Sequence, residues 1–151
     1  MSLRPSRPRF KQKQQRKRRK QGSRFKQGYY IPKNPEKYVQ PIDKTMNESI
    51  YPFMRSSWER KFAQWCDSSS LVKKWSTEYT KIQYWDSVQN KYRRYFPDFF
   101  VELENRKVVI EIKPKNQMKM QINQDKWAAA REFCKLHNYE FIVITEKELG
   151  I

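Results

Sequence analysis

The N-terminal segment, residues 1–28, most constrains the fold, because it cannot contribute to a hydrophobic core. It consists mainly of Arg, Lys, Gln, Ser and Pro, with Leu3, Phe10 and Phe25 as isolated apolar side chains. So little apolar surface cannot offset the entropy that is lost when a chain is ordered. We therefore expect a disordered basic arm at residues 1–28, and one folded domain in the rest of the 151 residues.

The charge of this arm indicates what it binds. Residues 1–35 hold 13 of the 33 Lys and Arg residues and no acidic residue, in a chain whose net charge is +17. A polycation binds phosphates by releasing their counterions, without reading sequence. The candidate DNA-binding residues are the densest cationic run: Arg16, Lys17, Arg18, Arg19 and Lys20. An anionic membrane surface is a weaker alternative because the arm lacks an apolar helix face, and docking on a protein is another.

The composition also excludes several classes of protein. No apolar stretch approaches the ~20 residues of a membrane span, and the charged N-terminus has no apolar core of a secretory signal. Two cysteines do not make a disulfide framework. Three glycines argue against a phosphate-cradling loop, and a single histidine against a His-based metal centre. We therefore expect a soluble protein of a reducing compartment, with no membrane partner and no nucleotide cofactor.

Residues 29–55 combine aromatic side chains with prolines at positions 32, 35, 41 and 52. Prolines at this density prevent a long helix and favour extended chain. We expect an extended strap, and the sequence does not say whether it packs on the domain or on a partner.

Residues 56–151 show regular patterns that predict the domain. A helix is predicted to begin at residues 56–57, where two serines are candidate N-caps, and a second helix at residues 122–137. Strands are predicted at residues 77–85, 91–103 with an interruption at Pro97, 107–113 and 139–145. The order αβββαβ predicts a mixed sheet flanked by helices, in the α/β (α+β) class.

The strand at residues 107–113 carries the most informative pattern. With a period of two, Glu111 and Lys113 share one face, while the opposite face is apolar. Upstream, Asp98 follows Pro97 within an aromatic run. An acid in such surroundings is costly unless something pairs with it. We therefore expect Asp98 and Glu111 to meet at the end of the sheet.

Two carboxylates on adjacent strand ends can share Mg²⁺ or Mn²⁺, which acidifies a bound water and neutralises charge on a phosphate. A lysine beside them could orient or deprotonate that water, or stabilise the transition state. Glu59 is on the inward face of the first helix and could complete the metal site. The alternatives are structural: Glu111 and Lys113 as a cross-strand ion pair, and Glu59 as part of a capping box with Ser56.

The order of a helix acid, Pro97-Asp98 and Glu111-Ile112-Lys113 resembles the PD-(D/E)XK superfamily, whose core is restriction-endonuclease-like. Further stretches, at residues 55–62, 126–130 and 141–146, resemble the endonuclease subunit of heteromeric cut-and-paste transposases. That similarity covers about residues 50–150. The whole chain, including the arm, is similar to the head-completion nucleases of T-even-type tailed phages.

The resemblance implies a Mg²⁺-dependent endonuclease that acts on double-stranded DNA in head completion, where it processes or guards packaged DNA ends before tail attachment. It implies head, portal or neck proteins as partners, and location in the virion and, during assembly, in the host cytoplasm. It also implies an active-site set of Glu59, Asp98, Glu111 and Lys113, with the Ile112 carbonyl as an additional metal ligand. Transposase-type relatives often have Gln where this chain has Glu111.

Further cations flank these motifs: Arg93, Arg94, Lys115 and Lys119. They are candidates for phosphate contacts, and ordinary solvated charge explains them equally well. Two functions without catalysis are the alternatives to a nuclease. One is a DNA-binding virion or neck component with a nuclease-like fold, and the other is an RNA-binding protein.

Overall fold

A computed structural model describes residues 27–41 and 50–151, so the cationic run at residues 16–20 lies outside the described residues. The strands are β1 (Gly28–Tyr29), β2 (Phe53–Met54), β3 (Lys74–Thr77), β4 (Ile82–Asp86), β5 (Lys91–Tyr95), β6 (Phe99–Glu102), β7 (Lys107–Ile112) and β8 (Glu140–Ile144). The helices are α1 (Ser57–Ser68), α2 (Gln121–His137) and α3 (Glu146–Leu149), and there are 3₁₀ turns at Pro35–Lys37 and Lys115–Gln117.

The centre of the domain is a four-stranded sheet in the order β3-β6-β7-β8. The pairs β3–β6 and β6–β7 are antiparallel, whereas β8 runs parallel to β7. A parallel pair needs a long crossover, and α2 provides it between β7 and β8. The predicted α+β class, with a mixed sheet flanked by helices, is confirmed.

The sheet buries a different set of side chains on each face. Toward α1 and α3 the core contains aromatic and aliphatic side chains, among them Phe62, Trp75, Phe99, Ile110 and Leu149. A smaller cluster forms between α2 and the β4–β5 hairpin: Ile82, Tyr84, Tyr95, Trp127 and Ala130. Because β7 alternates between these faces, Val108, Ile110 and Ile112 lie in the core toward α1, while Glu111 bonds Tyr95 of the hairpin.

Two predictions of a single strand are wrong, because each covers residues of two separate strands. Residues 77–85 contain the end of β3 and most of β4, and residues 91–103 contain β5 and β6. In each case one strand belongs to the central sheet and the other to the separate β4–β5 hairpin. Glu78, with a φ of 48°, turns the chain after β3, and Pro97 has no N–H to continue a ladder. Asp98 therefore precedes β6 and is not within a strand.

Helix α3 is a further element that the sequence reading missed. Its N-cap Thr145 and Glu148 form a capping box, and Gly150 ends the helix in the left-handed conformation. Helix α1 begins after Ser56, one of the two predicted N-caps, whose hydroxyl accepts from the Glu59 N–H.

The described parts of the strap pack on the domain. Strands β1 and β2 pair with each other, and Tyr38 forms a parallel bridge to Trp75. Tyr30 donates a hydrogen bond to Asp67, which is 2 % exposed near the end of α1. Within residues 27–41 and 50–55, the strap is thus part of the folded unit.

Within the part of the chain that the structure describes, no helix is both long enough and apolar enough to cross a membrane.

Candidate active site

The first feature of the site is the approach of Asp98 to the end of β7. The antiparallel register pairs Phe99 with Ile110, so the residue before β6 lies beside the last residues of β7. Accordingly, the backbone N–H of Ile112 donates to Asp98 Oδ2 at 2.8 Å. Because N–H and C=O of one strand residue point to the same side, the Ile112 carbonyl also faces Asp98.

Glu111 is the second acid, and it is 4 % exposed. Its Oε1 accepts a hydrogen bond from the Tyr95 hydroxyl at 2.8 Å, and its Oε2 lies 3.8 Å from Lys113 Nζ. Burial raises the pKa of Glu111, although the Tyr95 hydrogen bond and the Lys113 charge oppose this shift. The structure thus brings Glu111 and Lys113 together on one face, as the period of two predicts.

The electrostatics of Asp98 suit a cation site. Burial raises the pKa of Asp98 well above its usual range, and the charges of Glu111 and Glu59 raise it further. Carboxylates that repel each other in a buried place are stabilised by a shared cation. Asp98 Oδ1, Glu111 Oε2 and the Ile112 carbonyl are oxygen donors of the kind that Mg²⁺ prefers. Among the described residues, however, no three His, Cys, Asp or Glu side chains are grouped as a metal site.

Glu59 takes part in helix capping and also faces the acids. Its backbone N–H donates to Ser56 Oγ at 3.1 Å, and its Oε1 accepts from the Arg55 N–H at 2.9 Å. Burial raises the pKa of Glu59, and the charge of Glu78 adds to the shift while Arg55 and Lys113 oppose it. The Ser56 half of the predicted capping box is therefore present, but the Glu59 carboxylate bonds the residue before the N-cap and not the N-cap itself. The charge of this carboxylate also acts on Asp98.

Two residues of the site were missed at the sequence level, Tyr95 and Lys126. Lys126 extends from α2 and places its Nζ 5.5 Å from the centre of the Tyr95 ring. Partial burial lowers the pKa of Lys126, as does the charge of Lys113, while Glu111 and Asp98 raise it. The signal in the sequence is its spacing, since Lys126 lies four residues from both Ile122 and Ala130 on the apolar face of α2.

The four cations flanking the motifs are exposed and differ in their surroundings. Arg93 pairs with the buried Asp86 at 3.4 Å, and Arg94 lies beside it on β5. Lys115 follows the end of β7, where its backbone N–H donates to Glu146. Lys119 stands just before α2. Their exposure is compatible with the predicted phosphate contacts.

Comparison with known proteins is consistent with this arrangement. The profile of a family described as "TnsA-like endonuclease N terminal" matches residues 69–146, slightly more than half of the chain. The chain belongs to the TnsA-like endonuclease family. The matched residues of this TnsA-like endonuclease include Asp98, Glu111, Lys113 and Lys126, whereas Glu59 precedes them.

A curated relative is similar over a longer stretch. The head completion nuclease of enterobacteria phage T4 is 28% identical in an alignment 145 residues long, which covers 81% of this chain and 92% of the relative. Both similarities of this TnsA-like endonuclease support the resemblances that its sequence motifs suggested.

Proposed function

We propose that this TnsA-like endonuclease hydrolyses DNA phosphodiester bonds with a divalent cation, Mg²⁺ or Mn²⁺, held by Asp98 and Glu111. The observation that carries the proposal is the pair of carboxylates at one end of the sheet, Glu111 buried and Asp98 half-buried, with Lys113 beside them. A bound Mg²⁺ would acidify a water molecule and neutralise charge on the scissile phosphate.

The chain's own residues have distinct roles in this proposal. The Ile112 N–H and the Tyr95 hydroxyl each hold one oxygen of a carboxylate, so that Asp98 and Glu111 keep their positions. Lys113 donates a hydrogen bond to the attacking water or to a phosphate oxygen. Glu59 adds negative charge from the start of α1 and holds that helix by its cap. Outside the described residues, the basic arm supplies affinity without sequence preference.

The biological setting is proposed from the T4 relative. Its name supports a role in phage head completion, in which this chain would process or guard packaged DNA ends before tail attachment. Head, portal or neck proteins would be its partners, and it would occupy the virion after assembly in the host cytoplasm. The second function that remains is a DNA-binding virion component without catalysis, and the assay below distinguishes the two.

The test is cleavage of supercoiled plasmid by the full-length chain, with Mg²⁺, with Mn²⁺ and with EDTA. We expect nicked and then linear plasmid with either metal, and intact plasmid in EDTA. The same assay with Lys113→Ala should leave the plasmid intact although it still binds. Binding by the wild type without cleavage under every metal tested would refute the enzyme and favour the non-catalytic component.

A smaller effect is expected for Lys126, whose charge lies beside the acids. Lys126→Met should lower the rate of plasmid nicking about tenfold, because one cation that would face phosphate charge is lost. Lys126→Arg should retain most of the rate. The control is Lys135→Met on the exposed last turn of α2. Equal rates for Lys126→Met and the wild type would show that Lys126 only packs on Tyr95.

A further inference from the structure

The β4–β5 hairpin has an outer face that packing does not explain. Directly opposed residues of an antiparallel pair share a face, and alternate residues of a strand do so too. Ile82, Tyr84 and Tyr95 are buried toward α2, so their neighbours along the strands point outward. We call this the hairpin face, and it consists of Gln83, Trp85, Tyr92, Arg94 and Phe96.

Aromatic rings dominate the hairpin face. Trp85 is 46% exposed, Tyr92 is 66% exposed and Phe96 is 40% exposed. Trp85 and Tyr92 are cross-strand partners whose ring centroids lie 4.9 Å apart at an interplanar angle of 73°. Each ring supports the position of the other and still presents much of its surface to solvent. Several large exposed rings on a two-stranded ribbon mark an interaction surface rather than a core.

The charge around these rings favours a polyanionic partner. Arg94 lies between Tyr92 and Phe96 on the hairpin face, whereas Lys91 and Arg93 are exposed cations of the opposite face. Asp86 is the one acid between residues 81 and 96. Asp86 is fully buried and accepts hydrogen bonds from the Val88 and Gln89 N–H groups and from Arg93. No carboxylate therefore faces outward on the hairpin. Aromatic rings interleaved with cations are the combination that binds single-stranded nucleic acid.

The position of the hairpin connects it to the acids. Its two ends join the central sheet at β3 and β6, where the Glu78 N–H donates to the Asp98 carbonyl at 3.1 Å. Tyr92 and Arg94 form a row on β5, and Phe96 follows the end of the strand, two residues before Asp98. Two residues of extended chain span at most ~7 Å. A strand bound along this row would thus lead directly to the candidate active site.

We propose that the hairpin face binds unpaired nucleotides of DNA by stacking on Trp85 and Tyr92, with Arg94 at the phosphates. The inference rests on the proposed function, because DNA is taken as the substrate. Its consequence is a preference for DNA with a single-stranded segment next to the cleaved bond, such as an overhang, a gap or a frayed end. Base stacking tolerates any sequence, since every base has a π-face.

The experiment measures binding in EDTA, so that it does not depend on cleavage. The probes are a fluorescein-labelled oligo-dT and a labelled duplex of the same length, titrated with the full-length chain. Trp85→Ala/Tyr92→Ala should bind oligo-dT about tenfold more weakly and the duplex with nearly unchanged affinity. The matched control is Trp65→Ala on α1, where the ring is 43% exposed but lies outside the hairpin.

Salt and single variants complete the test. The loss of oligo-dT affinity caused by Trp85→Ala/Tyr92→Ala should be the same at low and high salt, because stacking releases no counterions. The loss of affinity caused by Arg94→Ala should become smaller as the salt concentration rises. If circular dichroism shows that the double variant does not fold, Tyr92→Ala alone replaces it, because Tyr92 is the most exposed of the rings and its loss should disturb packing least.

Three outcomes would overturn the inference. If the double variant loses equal affinity for oligo-dT and duplex, the hairpin face binds a duplex groove. If it keeps its affinity for both, the hairpin face is a protein-docking surface. If Trp65→Ala loses as much affinity for oligo-dT as the double variant, the effect is not specific to the hairpin. Failure of the proposed function is a separate result. It would appear as an intact plasmid with wild-type protein and every metal, whatever the binding ratio in EDTA.

Discussion

The Asp98→Asn protein is expected to cleave plasmid DNA about a thousandfold more slowly than the wild type, because a metal ligand is worth several kcal/mol of transition-state stabilisation. Asparagine is nearly isosteric, and its side-chain oxygen can still accept from the Ile112 N–H. The substitution removes the negative charge and keeps the local geometry. Rates of nicking at saturating Mg²⁺ give the measurement. The matched control is Glu102→Gln at the far end of β6, the strand that follows Asp98, and it should cleave at the wild-type rate.

The same substitution should stabilise the metal-free protein, and the sign follows from the pKa of Asp98. Burial, and then the Glu111 and Glu59 charges, raise that pKa above the usual value of 3.8. The protonated form is therefore favoured by folding, and its stabilising contribution is complete below pH 3.8 and lost as the pH rises through the folded pKa. In EDTA at neutral pH, Asp98→Asn should unfold at a higher urea concentration than the wild type.

That stability difference should close when the pH falls below 3.8, where the Asp98 carboxyl is protonated in both states. It should also close when Mg²⁺ is added to the wild type, since a bound cation stabilises the folded state. A wild-type rate of cleavage by Asp98→Asn would remove this residue from the active site. A lower stability of Asp98→Asn in EDTA would mean that the carboxylate is a structural acceptor and not part of a repulsive group.

Local patterns predicted which residues of the candidate site share a face better than they predicted what packs around them. The period of two along β7 correctly placed Glu111 and Lys113 on one face. The predicted N-cap at Ser56 was confirmed, whereas the Glu59 carboxylate accepts from the Arg55 N–H and not from the Ser56 N–H that the predicted capping box requires. These features depend on a few neighbouring residues, so they can be recognised without knowing the fold.

The division between the sheet and the hairpin could not be recognised in this way. A period of two shows which residues share a face, but it does not show which strand lies alongside. The runs at 77–85 and 91–103 therefore read as continuous strands, although each crosses from one sheet to another. For the same reason, the sequence did not predict that Tyr95 and Lys126 lie near Glu111, because their positions depend on how the hairpin and α2 pack. It also left the partners of the strap unpredicted, and one of them is the buried carboxylate of Asp67.

The Asp67 carboxylate gives the second large effect. Asp67→Ala is expected to lower the free energy of unfolding by about 3 kcal/mol, because the buried Tyr30 hydroxyl and two part-buried N–H groups lose their acceptor. Asp67 accepts from the Tyr30 hydroxyl at 2.7 Å, from the Lys33 N–H at 2.7 Å and from the Asn34 N–H at 3.0 Å. All three donors belong to the strap. Urea denaturation followed by tryptophan fluorescence measures the loss, and limited proteolysis should show cleavage of residues 27–41 before the rest of the domain.

The matched control is Asp125→Ala, since Asp125 also accepts three hydrogen bonds, from the Ser87 N–H and hydroxyl and from Gln121. Its donors are exposed and can turn to water, so the loss of stability should be much smaller than for Asp67→Ala. Equal losses for the two variants would mean that the strap does not depend on its buried acceptor.

The pH dependence of the Asp67 effect should have the opposite sign to that of Asp98. Burial by itself would raise the pKa of Asp67, but the hydrogen bonds from Tyr30, Lys33 and Asn34 outweigh it and lower the pKa below 3.8. The carboxylate then contributes stability that is present above pH 3.8 and is lost as the pH falls through the folded pKa. In acid, the difference in free energy of unfolding between wild type and Asp67→Ala should therefore narrow, because the wild type loses stability. The difference between wild type and Asp98→Asn should also close in acid, but there because the wild type gains stability. A gap for Asp67→Ala that widens in acid would contradict the assignment of Asp67 as a charged anchor of the strap.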